Sequence, residues 1–458
     1  MGASVPQLTL GLLVGLVIGI ASQAFLPLFQ QRVRKRRPRP LPPTDDQGDW
    51  EAPTFDSGGS SAEDDDNLRV VEGIAGLIGN TPMVRIPSLS EATGCDIYAK
   101  AEFLNPGGSP KDRVALTMVE TAEQTGKLIP HTECCLFEGT VGSTGISLAM
   151  IARAKGYRCH IVIPDDQAQE KYALLTRLNA TVEKVRPVSI VNSNHFVNVA
   201  RCRAREYSQT ASSVTITSSP SESHHSHRTH VALRGHHQGY FADQFENPAN
   251  FAAHFNQTGP EIYRQMRGQL DAFVAGAGTG GTLAGIARYL KPRIPQLKVV
   301  LADPTGSGLF HRIKHGVLYT PLEAEGTRRR HQVDTVVEGI GINRITRNFA
   351  KVLEPRSSNA STPAAALPWV DDAVHVTDEQ AVLMARYLVS TEGLFVGSSS
   401  AVNCVAAVRT AQQLGPGHTI VTVLCDSGQR HLTKFWNDEY LQALNLPTSF
   451  PDSLAFLD

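Results

Sequence analysis

The chain has 458 residues, 41% of them hydrophobic, and 38 glycines, an ordinary globular composition that excludes collagen, global disorder and a stapled mini-protein. Length alone allows about three domains. The net charge of −1 argues against a nucleic-acid binder that works through a global basic field, yet it is the sum of segments that lie at opposite extremes.

No charged residue precedes Arg32, and Leu8–Phe29 is a 22-residue apolar stretch. As a helix it would reach about 33 Å, enough for a hydrocarbon core of about 30 Å. A cleaved signal usually carries a basic region first and a shorter apolar core. Here the basic block follows, at Arg32, Arg34, Lys35, Arg36, Arg37 and Arg39. The expectation is therefore a single-pass signal anchor with the rest of the chain on the cytosolic side, set against a cleaved signal or a buried helix. A short, Gly-rich span with a basic C-terminal flank resembles the anchors of the mitochondrial outer membrane, the endoplasmic reticulum being the alternative. Gly11, Gly15 and Gly19 have a spacing that lets two helices approach closely in lipid, though glycine is also common in membrane helices generally. Pro6 stands where a myristoylation signal wants Ser or Thr. Residues 45–66 then carry nine acidic side chains and no Lys or Arg, the composition of a disordered tether.

From Leu68 the pattern changes, and a catalytic core is expected over residues 68–450. Phe273–Ala275, Lys298–Ala302 and Thr419–Leu424 read as buried parallel strands, and Ala115–Gln124, Thr144–Lys155 and Thr377–Val389 as helices. This alternation predicts an α/β, doubly wound architecture with mainly parallel sheets. Two stretches break it. Ser208–His237 is rich in Ser and Thr and holds six of the 16 histidines. No ligand spacing repeats there, so it reads as a disordered surface insertion and no metal is expected. Ser357–Leu367 is a second, shorter insertion. The seven cysteines include no C-x-x-C pair, which leaves reduced, mostly buried thiols, with Cys134 and Cys135 on a buried strand.

Three Gly-rich loops carry the chemistry. Gly276–Gly285 follows an apolar strand and opens a helix, so backbone N–H groups and the helix dipole converge on an anion, most simply a phosphate. It lacks the Lys-Ser/Thr of a P-loop and fits the dinucleotide fingerprint poorly; a plain strand-to-helix turn is the competing reading. Asn105–Arg113 places Lys111 among turn residues at a helix mouth, where desolvation and the dipole would lower its pKa and suit it to a Schiff base; the alternative is a solvated surface lysine. Glu138–Gly145 offers hydroxyls and N–H groups suited to a carboxylate.

Taken together with Ile78–Pro82, Gln244–Asn250, Thr258–Ile262, Glu338–Gly341 and Asp426–Arg430, these loops closely resemble fold type II (β-family) pyridoxal phosphate enzymes, in the cysteine synthase and cystathionine β-synthase branch. The resemblance runs from about Leu68 to Asn445 and is nearest to membrane-anchored mitochondrial cysteine synthases of fungal type. It implies a two-lobed fold whose smaller mobile lobe, about residues 116–240, closes over substrate, and a homodimer. It implies that Lys111 holds the cofactor covalently and acts as the base, and that Gly278, Thr279, Gly280, Gly281 and Thr282 cradle the phosphate. Ser427 would hydrogen-bond the pyridine nitrogen. A serine there, rather than a carboxylate, leaves that nitrogen largely unprotonated, which suits elimination over transamination. Thr140, Val141, Gly142, Ser143, Thr144 and Gln244 would hold the substrate carboxylate and the ring hydroxyl, with Ser143 also against the cofactor.

The family's substrate loop usually reads T-S-G-N-T-G, whereas this one reads T-V-G-S-T-G. Each lost hydrogen bond is worth roughly 0.5–1.5 kcal/mol net, enough to change affinity or substrate choice more readily than to abolish turnover. The expected reaction makes L-cysteine from O-acetyl-L-serine and sulfide. A cystathionine β-synthase, a serine/threonine dehydratase, and a membrane-tethered sensor of low activity are the alternatives. The chain ends soon after Ser427, with no room for a C-terminal regulatory pair of domains, which favours the simpler synthase.

Overall fold

The computed structural model describes residues 70–212, 237–320, 335–356 and 368–457. The expected anchor Leu8–Phe29, its basic flank, the acidic tether and the 357–367 insertion lie outside the described residues. Among the described residues no helix is long and apolar enough to cross a membrane.

Apolar runs with few polar interruptions form strands here because both faces are covered. In chain order the strands are β1 (Met83–Arg85), β2 (Asp96–Ala101), β3 (Cys135–Gly139), β4 (Arg158–Pro164), β5 (Thr181–Val185), β6 (Gly239–Phe241), β7 (Ala272–Gly276), β8 (Lys298–Pro304), β9 (Asp372–Val376) and β10 (Thr419–Leu424). One sheet runs β1-β2-β10-β7-β8-β9, the other β5-β4-β3-β6. Every pairing is parallel except the β1–β2 edge. The expected strands at 273–275, 298–302 and 419–424 all lie in the first sheet.

The helices that matter for the site are α1 (Lys111–Gln124), α2 (Ser143–Lys155), α3 (Gln169–Arg177), α4 (Phe196–Ser212), α5 (Gly281–Leu290), α6 (Asp378–Glu392) and α7 (Ser398–Leu414). α6 begins where the sequence suggested: Thr377 and Gln380 close a capping box, and Gly393 ends the helix at φ 67°. The Ser208–His237 expectation needs correcting at both ends. Ser208–Ser212 complete the last turns of α4, where the Ser208 hydroxyl accepts from the Gly239 N–H at 2.9 Å. His237 is ordered against Tyr207, with ring centroids 4.0 Å apart. The helical period of 196–212 outweighed its Ser and Thr content; residues 213–236 lie outside the described residues. Cys135 opens β3 with Cys134 just before it, and both are buried; Cys95, Cys159 and Cys404 are buried elsewhere, whereas Cys202 is exposed.

At the entrance to α1, Arg113 is 0% exposed. Its guanidinium holds Glu102 at 2.8 and 2.9 Å and Glu261 at 2.5 and 2.7 Å. Lys100, equally buried, reaches Glu261 Oε2 at 2.7 Å and donates to the Thr81 carbonyl at 2.5 Å. Burial alone would raise the Glu261 pKa, but the Arg113 bonds and the Lys100 charge outweigh it and hold the carboxyl down to about 2. The segments around Thr81, Lys100–Glu102 and Arg113 are thereby tied to the distant Glu261 beneath the helix that starts at Lys111.

Removing one member of such a network strands the others in a dry interior. Glu261→Gln should cost about 3–5 kcal/mol in urea unfolding of the cofactor-free protein; a loss under about 1 kcal/mol would show that the network is weakly held.

Candidate active site

In parallel sheets the functional loops leave the carboxyl ends of the strands. Here β2 leads into Asn105–Lys111, β7 into Gly276–Gly280, β10 into Cys425–Ser427, and β3 of the other sheet into Thr140–Gly142. These loops surround one cavity of about 330 Å³.

The lysine loop is shaped from below. Asp112 accepts from the Gly107 N–H and from the Ser147 hydroxyl, each at 2.5 Å, while the Arg430 guanidinium donates to the Gly107 carbonyl. A Cβ on Gly107 would stand 2.3 Å from Asp112 Oδ1, so a larger residue here would displace the carboxylate that shapes the turn. Burial pushes the Asp112 carboxyl up to about 6 against the pull of those bonds. The turn presents Lys111 to the cavity. Burial lowers its pKa, only partly offset by Cys425, Asp426 and Glu102. A lowered pKa favours the neutral amine, the nucleophilic form.

The second loop is a cup of backbone. A Cβ on Gly278 would lie 2.4 Å from the Gly339 carbonyl oxygen, one on Gly280 2.5 Å from Phe349 Cβ, and one on Gly281 2.0 Å from Asn250 Oδ1. Gly280 sits at φ 82° immediately before α5. Gly278, Thr279, Gly280 and Thr282 line the cavity and Gly281 lies behind them. Hydroxyls, exposed N–H groups and the start of a ten-residue helix suit a phosphate.

In the third loop, Thr140, Val141, Ser143 and Thr144 line the cavity, as does Gln244. Gly142 supports them at φ 134°, with the Lys171 stem packed where a Cβ would be. The Thr144 hydroxyl donates to Gln244 Oε1 at 2.5 Å, and Gln244 Nε2 reaches Glu138 Oε1 at 3.4 Å. Glu138 is fully buried, and desolvation raises its pKa well above the ordinary carboxyl value against the pull of its hydrogen bonds from Gln244. Val141 packs against the Phe196 cluster, which gives its methyl groups a place that a hydroxyl would not fill.

Ser427 follows directly on the lining residues Cys425 and Asp426 but is not itself part of the wall. Its hydroxyl makes two long bonds, to the Phe395 carbonyl at 3.4 Å and from the Gln429 N–H at 3.3 Å.

One wall was not legible in the sequence. Lys171 of α3 pairs with Glu338, whose Oε2 lies 3.2 Å from His431 Nδ1; His431 Nε2 meets Asp426 Oδ2 at 3.0 Å. Lys434 approaches Glu338 at 3.7 Å and donates to the Asp166 carbonyl at 2.6 Å. Burial would lower the His431 pKa, but its two carboxylate neighbours raise it to about 9. Glu338 and Asp426 lie in the segments Glu338–Gly341 and Asp426–Arg430 that carry the family resemblance; Lys171, His431 and Lys434 are isolated residues that no spacing marks. His195, also unmarked, lines the cavity with its pKa pushed down to about 4 by burial and by Arg344. Among the described residues no His, Cys, Asp and Glu cluster could hold a metal ion.

A buried amine beside a phosphate cup and a carboxylate loop is the donor set that pyridoxal phosphate requires. Residues 74–426 match the family model described as "Pyridoxal-phosphate dependent enzyme". The chain is 54% identical over 409 residues to "Cysteine synthase 2" of Schizosaccharomyces pombe, covering 89% of this chain and 93% of that one. The chain belongs to the cysteine synthase family of pyridoxal-phosphate-dependent enzymes. A Saccharomyces cerevisiae protein named "Putative mitochondrial cysteine synthase" is 49% identical, with 81% and 85% covered. The mouse "Cystathionine beta-synthase" is more distant, at 34% identity over 81% of this chain and 56% of its own. Among solved structures, an O-acetylserine dependent cystathionine beta-synthase from Helicobacter pylori matches with a TM-score of 0.59 and 29% identity, covering 80% and 98% of the two chains.

The charged wall makes the enzyme's stability depend on pH. His431 has a folded pKa of about 9 against about 6.5 unfolded. Its contribution is therefore complete below about pH 6.5 and is lost as pH rises through about 9. Wild type should lose melting temperature over that interval while His431→Gln shows a flatter curve; parallel curves would contradict the assignment.

Proposed function

We propose that the enzyme forms L-cysteine by β-replacement of O-acetyl-L-serine with sulfide, with residues 278–282 on the cofactor phosphate and Lys111 as the amine that carries the cofactor and then acts as base. The observation that carries this reading is the placement of the desolvated Lys111 amine in one cavity with the phosphate cup and the substrate loop. When bound, pyridoxal phosphate supplies an electron sink for the charge left at the substrate Cα.

The chain supplies the rest. Lys111 Nζ takes the Cα proton in its neutral form. Thr140, Gly142, Ser143 and Thr144, at the positive end of α2, hold the substrate carboxylate. Thr144 and Gln244 orient one another, and the buried Glu138 carboxyl keeps Gln244 in place by accepting from its backbone N–H and its side-chain amide. Ser427 is the residue assigned to the pyridine nitrogen, and to serve it the hydroxyl gives up its long bond to the Phe395 carbonyl and turns toward the cavity. The smaller lobe, about residues 116–240, closes over substrate, and the Lys171–Glu338 pair joins it to the facing wall of the cleft.

Full-length protein should form cysteine from O-acetylserine and sulfide, with little product from serine and homocysteine. Product from the second pair alone would select a cystathionine β-synthase, and none from either would leave the sensor reading. Lys111→Ala should lose the cofactor's visible band and all turnover. Restoring a hydroxyl and an amide with Val141→Ser and Ser143→Asn should change KM by about threefold to tenfold with kcat nearly constant; a collapse of kcat would place these residues in the chemistry itself.

We further propose that Leu8–Phe29 anchors the enzyme in the mitochondrial outer membrane with its catalytic body in the cytosol, the endoplasmic reticulum being the alternative, and that it works as a homodimer. The apolar length, the basic flank and the mitochondrial name of the yeast relative support this. Carbonate extraction should leave the full-length protein in the membrane pellet; release into the supernatant would overturn the anchor.

A further inference from the structure

Thr279 and Thr282 bring two hydroxyls to the phosphate cup. A hydroxyl has one proton and two lone pairs, so what stands behind it decides whether that proton is free to face an anion.

Behind Thr279 stands Asn250, 0% exposed. Its Nδ2 lies 2.8 Å from the Gln244 carbonyl oxygen and 2.8 Å from Thr279 Oγ1. A carbonyl only accepts, so the amide nitrogen must face this side, and its second N–H falls on Thr279. The Thr279 proton is left for the cavity.

Behind Thr282 stands His254, also 0% exposed. Its Nδ1 is 3.0 Å from Thr258 Oγ1 and its Nε2 is 3.1 Å from Thr282 Oγ1. Burial first, then the charges of Lys111 and Arg113, push the imidazole pKa far down, so the ring is neutral. A neutral imidazole has one donor and one acceptor nitrogen, which leaves two arrangements. With the proton on Nδ1, Nε2 takes the Thr282 proton away from the cup. With the proton on Nε2, the ring donates to Thr282, Thr258 donates to Nδ1, and the Thr282 proton turns outward.

A phosphate oxygen only accepts. We propose that His254 carries its proton on Nε2 and, together with Asn250, forms a backing layer that turns the Thr282 and Thr279 protons toward the cofactor phosphate. Both are positioning residues, and the proposal rests on the assignment of residues 278–282 to the phosphate. The local backbone is built around this contact. His254 opens a π-helical turn, His254–Thr258, and a Cβ on Gly285 of α5 would lie 2.7 Å from His254 Cβ, so α5 is seated directly on the turn that carries the ring. Single π turns interrupting a helical run are often found at functional sites.

The test uses full-length protein freed of cofactor and three probes: pyridoxal phosphate, pyridoxal without its phosphate, and inorganic phosphate. His254→Asn, which has no donor at the Nε2 position, should weaken pyridoxal phosphate and inorganic phosphate by about tenfold to a hundredfold and leave pyridoxal unchanged. His254→Gln, whose amide N–H reaches that position, should recover most of the loss. Equal weakening of all three probes, or no rescue by His254→Gln, would show a merely structural histidine and overturn the proposal. Nitrogen NMR of histidine-labelled wild type, assigned by the signal missing in His254→Gln, should show a bare Nδ1 and a protonated Nε2; the opposite tautomer or an imidazolium would overturn it without any reliance on variants. If wild type binds pyridoxal phosphate no better than pyridoxal, the phosphate assignment itself has failed, a result separate from those above.

Discussion

Arg113 lies two residues beyond Lys111, out of reach of solvent, with its guanidinium shared between Glu102 and Glu261. A charge in that position is tolerable only if its partners are fixed, and the partners come from the end of β2 and from the helix at 259–265. The network therefore fixes the start of α1 relative to the first sheet and to the segment that carries His254. Lys111 inherits that rigidity, since its side chain leaves the same helical turn. Burial lowers its pKa, and rigid placement keeps it aimed at the cavity rather than at water.

The other functional loops depend on the same economy of small residues and buried polar groups. Gly107 allows Asp112 to fold beneath the lysine turn, Gly142 makes room for the Lys171 stem, and Gly281 brings the start of α5 against Asn250. Each close approach replaces a side chain with a contact between segments distant in sequence. Behind the lining residues burial disfavours the charged forms of the Glu138 carboxyl and the His254 ring, whereas His431 in the wall itself has its pKa raised. Burial drives the first two groups toward neutrality, while paired carboxylates overcome it at the third.

What could be read from the sequence follows from the range of the forces involved. The strands at 273–275, 298–302 and 419–424 and the helix beginning at Thr377 are set by local periodicity and capping, and those signals are contiguous. The Gly-rich loops were legible because anion binding by backbone needs consecutive small residues. Lys171, Glu338 and His431 meet across the cleft from positions more than ninety residues apart at each step, and no local pattern records such a meeting. Ser208–Ser212 misled because composition suggested an insertion where the amphipathic period of α4 still held. The departures at Val141 and Ser143 were visible as residues, but the apolar pocket that receives Val141 was not.

The proposed role of Lys111 as the cofactor-bearing amine is open to a direct test. Reducing the holoenzyme with borohydride fixes the cofactor to whichever lysine holds it, and peptide mass spectrometry then locates the added mass. The adduct is expected on the peptide containing Lys111 and on no other in stoichiometric amount. An adduct on Lys171 or Lys434, the other lysines of the cavity wall, would contradict it.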